Sequence, residues 1–137
     1  EIEEAERDFQ QVMETMRGEK VDVAFFPVDP RLGMMFDAGP NYFAMVVKPR
    51  LMIPMHFWER AEVIREYARR SRSPQTEIIA MTTPGDMILL EFDEQENMTV
   101  HMQSVTSAPV ARNKKVQLEA YDGENPFNDS DLPVDME

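Results

Sequence analysis

Two apolar segments, residues 21–28 and 50–55, each end in side chains that can bind a ligand or a metal ion. These side chains are Asp29 and Arg31 after the first segment, and His56, Phe57 and Trp58 after the second. If both segments are parallel strands, their carboxyl ends lie at one edge of the sheet, where open α/β folds bind ligands. We therefore predict that Asp29 and His56 share an edge that faces a cleft.

Each of these residues also has an ordinary structural interpretation. A lone histidine is commonly a hydrogen-bonded structural residue, and an aspartate before a proline commonly bonds its own backbone in a turn. Arg31 can pair at the surface or cap a helix, while Phe57 and Trp58 can pack as core or as a hydrophobic staple. Residue types alone leave both interpretations of Asp29 and His56 open.

Length and composition restrict the class of protein. The chain has 137 residues, a net charge of −12 and no cysteine, so we expect at most one domain without disulfides or thiolate metal sites. Clustered Lys and Arg, which nucleic-acid binding requires, are scarce. No apolar run approaches the roughly 18 residues of a membrane span, and no signal peptide opens the chain. We expect a soluble cytoplasmic protein.

Periodicity predicts alternating helices and strands along residues 1–103. The predicted helices are 1–17, 40–48 and 58–72, and the predicted strands are 21–28, 50–55, 76–81, 87–92 and 98–102. Right-handed crossovers would place the second and third helices on one face of a parallel sheet. The first two strands are apolar on both sides, so the other face also needs a cover. The remaining chain looks too short to supply it, which suggests one half of a sandwich.

Beyond residue 103 the periodic pattern fades. Residues 104–137 are acidic and rich in Pro, Asn and Asp, a composition typical of tails and extended arms. We therefore divide the chain into a folded unit over residues 1–103 and a tail or arm over residues 104–137.

Several short stretches in order resemble the C-terminal part of the metallo-β-lactamase superfamily. They are Val21 to Arg31, Lys48 to Trp58 with its Pro-Met-His-Phe-Trp segment, and the turn Thr83 to Asp86. The resemblance implies an α/β fold, the C-terminal half of a four-layer αββα sandwich. Family members bind one or two metal ions through a His-x-His-x-Asp-His motif and later ligands, and His56 matches the final histidine. The motif itself is absent, since His101 is the only other histidine.

The resemblance implies a fragment of a metal-dependent hydrolase, in which metal-activated water attacks an ester, lactone or phosphodiester. His56 would bind zinc, or manganese or iron in its place. Asp29 and Arg31 would orient that ligand or hold an anionic small-molecule substrate, and Phe57 and Trp58 would line the pocket. The missing ligands imply that the N-terminal half of the domain, or a second copy, is a partner.

Two other classes of function stay open. One is a non-catalytic interaction domain that completes its core by oligomerisation or with a partner chain. The other is a doubly wound nucleotide-binding domain, which the sequence disfavours because residues 29–33 after the first strand lack a glycine-rich phosphate loop. His101, between Val100 and Met102, fits the surface of a sheet.

Overall fold

The computed structural model describes residues 1–71 and 73–103, and the backbone of residues 116–120. The helices are α1 (Ile2–Glu14), α2 (Ala38–Val47) and α3 (Ala61–Arg70), with a 3-10 helix at Pro30–Met35. The strands are β1 (Val23–Pro27), β2 (Leu51–Met55), β3 (Glu77–Ile78), β4 (Met87–Phe92), β5 (Met98–Gln103) and β6 (Val116–Ala120). The chain is thus a mixed α/β protein with two small sheets.

The first sheet is parallel and has β2 at its centre, in the order β1-β2-β3. Val23 of β1 lies opposite Leu51 of β2, and Leu51 lies opposite Glu77 of β3. The predicted β-α-β-α-β order of this part of the chain is therefore observed. Because neighbouring strands run in the same direction, residues that follow β1 and β2 emerge at one edge.

The helices pack on one face of the parallel sheet. Phe26 of β1 stacks on Phe43 of α2 with ring centroids 4.5 Å apart, and Ile64 of α3 is fully buried in the same cluster. Helix α1 lies beside α2, where the Tyr42 hydroxyl donates to a Glu14 carboxylate oxygen at 3.1 Å. This arrangement agrees with crossover helices on a single face.

The second sheet covers the opposite face of β2. β4 and β5 form an antiparallel hairpin, and β6 pairs with β5 in parallel. The residues buried between the sheets are Leu51, Ile53, Ile79, Met98, Val100 and Met102. The expectation that the chain is too short to cover this face was therefore wrong, because one hairpin supplies the inward-facing residues of β5.

Some element boundaries differ from the predicted ones. The segment after Asp29 forms a 3-10 helix where a turn was predicted, and α3 begins at Ala61 and not at residue 58. Strand β6 lies inside the range predicted as a tail or arm. The rest of that range lies outside the described residues, and so does residue 72, the predicted end of the third helix. Within the described ranges, no helix is long and apolar enough to cross a membrane.

The contact between the two sheets predicts a large stability difference between two identical substitutions. Leu51 is 0% exposed beneath the second sheet, whereas Leu32 is 60% exposed. We expect Leu51→Ala to lower the free energy of unfolding by about 2–5 kcal/mol through the cavity it creates. Leu32→Ala should change it by less than about 0.5 kcal/mol. Urea denaturation checks both, and equal losses would contradict the two-sheet core.

Candidate functional site

Four of the five predicted site residues lie together where β1 and β2 end. Two guanidinium nitrogens of Arg31 bond the Asp29 carboxylate, the shorter contact being 2.6 Å. The Arg31 Cζ atom lies 4.6 Å from the centre of the Trp58 ring, and the Trp58 and His56 rings meet edge-on with centroids 6.5 Å apart. The structure therefore forms one continuous chain of contacts from Asp29 to His56.

Backbone hydrogen bonds hold the two loops of this site in register. The Val28 amide donates to the Met55 carbonyl at 2.9 Å. This hydrogen bond joins the chain just after β1 to the last residue of β2. Asp29 then caps the 3-10 helix by accepting from the Arg31 amide at 2.9 Å. Asp29 therefore has the turn role that its position before a proline predicted, and it also binds the Arg31 side chain.

The backbone at His56 and Trp58 is strained. Both residues have positive φ angles, 60° and 56°, in the left-handed region that non-glycine residues seldom occupy and that costs of order 1–3 kcal/mol each. Phe57 between them packs against the helical core. The half-buried Phe57 side chain therefore anchors a tight loop in which His56 and Trp58 are exposed.

This loop geometry is the part of the site that the sequence did not reveal. A sequence predicts left-handed backbone mainly at glycine or asparagine. Positions 56 and 58 are histidine and tryptophan, so the sequence did not predict this conformation. The packing of Phe57 against the helical core agrees with its core interpretation, while the N-cap of α3 at Arg60 leaves Phe57 outside the staple position. Strain of this kind tends to gather at functional sites.

Arg31 changes the electrostatics of Asp29. Hydrogen bonds from the Arg31 side chain, then from its backbone amide, lower the pKa of the Asp29 carboxyl from 3.8 to about 2. Trp58 contributes a smaller hydrogen-bonding effect in the same direction. The Asp29 carboxylate is therefore ionised at any ordinary pH and is a poor general acid.

His56 has its ring nitrogens available. Its side chain is exposed, and among the described residues it accepts or donates no hydrogen bond, to Asp29 or to any other group. Arg31 also keeps one guanidinium nitrogen, Nη1, without a hydrogen bond in this part of the chain. The site can therefore offer the accessible ring nitrogens of His56 to a metal ion, and the Nη1 group of Arg31 to an anion.

The described residues do not make a metal centre by themselves. No group of three or more His, Asp or Glu side chains within the described ranges could hold an ion. His101, the other histidine, lies on the outer face of β5 with Nε2 2.9 Å from a Glu91 carboxylate oxygen. Since catalytic zinc takes three protein ligands, His56 could not form such a site on its own.

Comparison with known proteins gives no relative. No family model matches the chain, and no curated protein or solved structure matches it.

The Arg31 contact predicts a fluorescence change, because Trp58 is the only tryptophan. Asp29→Asn should release Arg31 from the indole ring and raise the acrylamide quenching constant, by about 1.5-fold if half of the ring face is uncovered. Asp37→Asn, which removes a carboxylate elsewhere, should leave quenching unchanged. Equal quenching in all three proteins would contradict the contact.

The low pKa of Asp29 predicts the pH dependence of the same signal. A depressed carboxyl pKa gives an ion pair that is intact above pH 3.8 and is lost as the pH falls through about 2. Wild-type quenching should therefore rise toward the Asp29→Asn value near pH 2, while the variant stays level. Far-UV circular dichroism at each pH separates this change from acid unfolding, and a midpoint near 3.8 would contradict the pairing.

Proposed function

We propose that this chain is part of a metal-dependent hydrolase of the metallo-β-lactamase superfamily, with His56 as one ligand of a zinc ion. The observation that supports it is the exposed imidazole of His56, held by a strained loop at the carboxyl end of the central strand without a hydrogen-bond partner among the described residues. Because the side chain is exposed, both ring nitrogens of His56 are accessible from solvent. An accessible imidazole at this edge of the sheet is suited to binding a metal ion.

The layer order of the fold is compatible with this proposal. Helices, the parallel sheet and the second sheet give an α-β-β order, which corresponds to three of the four layers of an αββα sandwich. In that architecture a further helical layer would lie outside the second sheet. The outer face of β5, which carries His101, is where such a layer would pack.

The remaining metal ligands would come from outside the described residues. Both Asp29 oxygens accept hydrogen bonds from Arg31, so this carboxylate is committed within the chain. An N-terminal half of the domain, on the same or another polypeptide, would supply the other imidazole and carboxylate groups. In the complete site the metal would lower the pKa of a bound water toward about 7.

The residues around His56 favour an anionic substrate. Arg31 is fixed by Asp29 and Trp58 but keeps Nη1 free for a hydrogen bond, and a guanidinium is well suited to carboxylate or phosphate oxygens. Trp58 is 60% exposed and would form an apolar wall beside them. An ester, lactone or phosphodiester with a negative group next to the scissile bond fits these features.

A non-catalytic interaction domain is the second candidate. Next to the site, the 3-10 helix exposes Leu32, Met34 and Met35, and Met34 is 94% exposed. Adjacent exposed apolar side chains often mark a surface that another protein covers. An interaction domain requires no metal. Metal binding at His56 would therefore favour the hydrolase over the interaction domain.

The hydrolase proposal predicts that zinc contacts His56 before His101. In a zinc titration of the full chain followed by NMR of the histidine rings, the His56 signals should shift first. His56→Ala should weaken zinc binding by at least about tenfold, since an imidazole ligand is lost. His101→Ala is the matched control, and we expect its zinc affinity to equal that of the wild type.

The composition of the purified protein tests the rest of the proposal. Intact mass and elemental analysis of material prepared without chelators should show a companion polypeptide with one or two zinc ions. A lone chain without metal, whose zinc response is the same in His56→Ala, would contradict the hydrolase and favour the interaction domain.

A further inference from the structure

A cavity of about 610 Å³ lies beside helices α2 and α3 and shares no lining residue with the His56 cluster. It is bounded by α2, by the end of α3, by residue 71 and by residues 73–75. Its principal polar lining residues are Asp37, Asn41, Lys48, Tyr67 and Arg70. The volume falls within the range of roughly 300–1,000 Å³ that small-molecule sites occupy.

Tyr67 gives this cavity an unusual buried group. The residue is 3% exposed, yet its hydroxyl has no hydrogen-bond partner among the described residues. Burial, and secondarily the charge of Asp37, raise the pKa of the Tyr67 hydroxyl, so it keeps its proton at any ordinary pH. A buried hydroxyl without a partner is costly, and a ligand acceptor in the cavity would satisfy it.

Charged groups of opposite sign lie at the two ends of α2. Asp37 precedes the helix and makes no capping hydrogen bond, and Lys48 follows it. They are 11 residues apart, about 16 Å along the helix axis, with Asn41 on the same face. Arg70, in the last turn of α3, adds a second cation to the cavity lining and also interacts electrostatically with Glu66.

We propose that this cavity binds a small phosphorylated polyol, such as a sugar phosphate. Lys48 and Arg70 would hold the dianionic phosphate through charge-assisted hydrogen bonds. The Tyr67 hydroxyl would donate a hydrogen bond to a ligand oxygen, and Asp37 would accept hydrogen bonds from ligand hydroxyls. The cavity is much larger than a phosphate group alone would fill. Asp37 at one end of the cavity also disfavours a ligand that carries negative charge at both of its ends.

The test compares ribose 5-phosphate, inorganic phosphate and ribose by isothermal titration calorimetry with the full chain. Saturable binding of ribose 5-phosphate that is tighter than binding of either fragment is the expected result. Tyr67→Phe should weaken it by about tenfold, because one hydrogen bond to the ligand is lost. Without ligand, the thermal midpoint of Tyr67→Phe should stay level or rise, since an unpartnered buried hydroxyl is removed.

Two neighbouring arginines give the matched control. Arg70→Gln removes a cation from the cavity and should weaken ribose 5-phosphate binding by at least about tenfold. Arg69→Gln removes the adjacent arginine, which pairs with Glu66 at 2.6 Å and does not line the cavity, and should leave affinity unchanged.

Three outcomes would overturn the proposal. They are the absence of saturable binding, inorganic phosphate binding as tightly as ribose 5-phosphate, and equal affinities for the Tyr67→Phe, Arg70→Gln and wild-type proteins. Lys48 and Arg70 could instead act only by stabilising the negative carboxyl ends of α2 and α3. In that case Arg70→Gln lowers the thermal midpoint, and none of the three ligands raises it. Since the cavity shares no residue with the His56 edge, zinc binding and sugar-phosphate binding fail or succeed independently.

Discussion

The burial of β2 on both faces is the constraint on which the rest of the structure depends. Leu51 and Met52 point to opposite sides of this strand, and both are fully buried. A strand of this kind is stable only between two layers. Helices α2 and α3 therefore cover one face, and the hairpin β4-β5 covers the other. The order of helices, parallel sheet and second sheet is thus consistent with the apolar composition of β2, the five-residue strand at the centre of the parallel sheet.

The same constraint explains why His56 is exposed. Where β2 leaves the core, the chain must turn toward α3 within a few residues, and Phe57 stays in the helical core during this turn. His56 and Trp58, on either side of this half-buried residue, both have positive φ angles, so the chain turns tightly around Phe57. Core packing thus supports a backbone conformation that would be unfavourable in isolation.

Sequence patterns predicted the parallel unit well because its signals are local. The apolar runs at β1 and β2 and the periodicity of α3 depend on near neighbours, and the shared edge of Asp29 and His56 follows from strand direction alone. The cover over Leu51 was not predicted, because it depends on β5, about 50 residues later in the chain. Such contacts between distant segments leave no period in a single sequence.

The contacts between the site residues could not be predicted from the sequence for a different reason. Asp29 and Arg31 were each assigned separate roles from their types, but their spacing of two residues lets one side chain bind the other directly. That pairing leaves Asp29 ionised and turns Arg31 toward Trp58, so neither residue acts independently. Among the described residues at this edge, His56 and Nη1 of Arg31 are the polar groups without a hydrogen-bond partner. Any chemistry proposed here therefore has to begin at His56, with Arg31 and Trp58 shaping what can approach it.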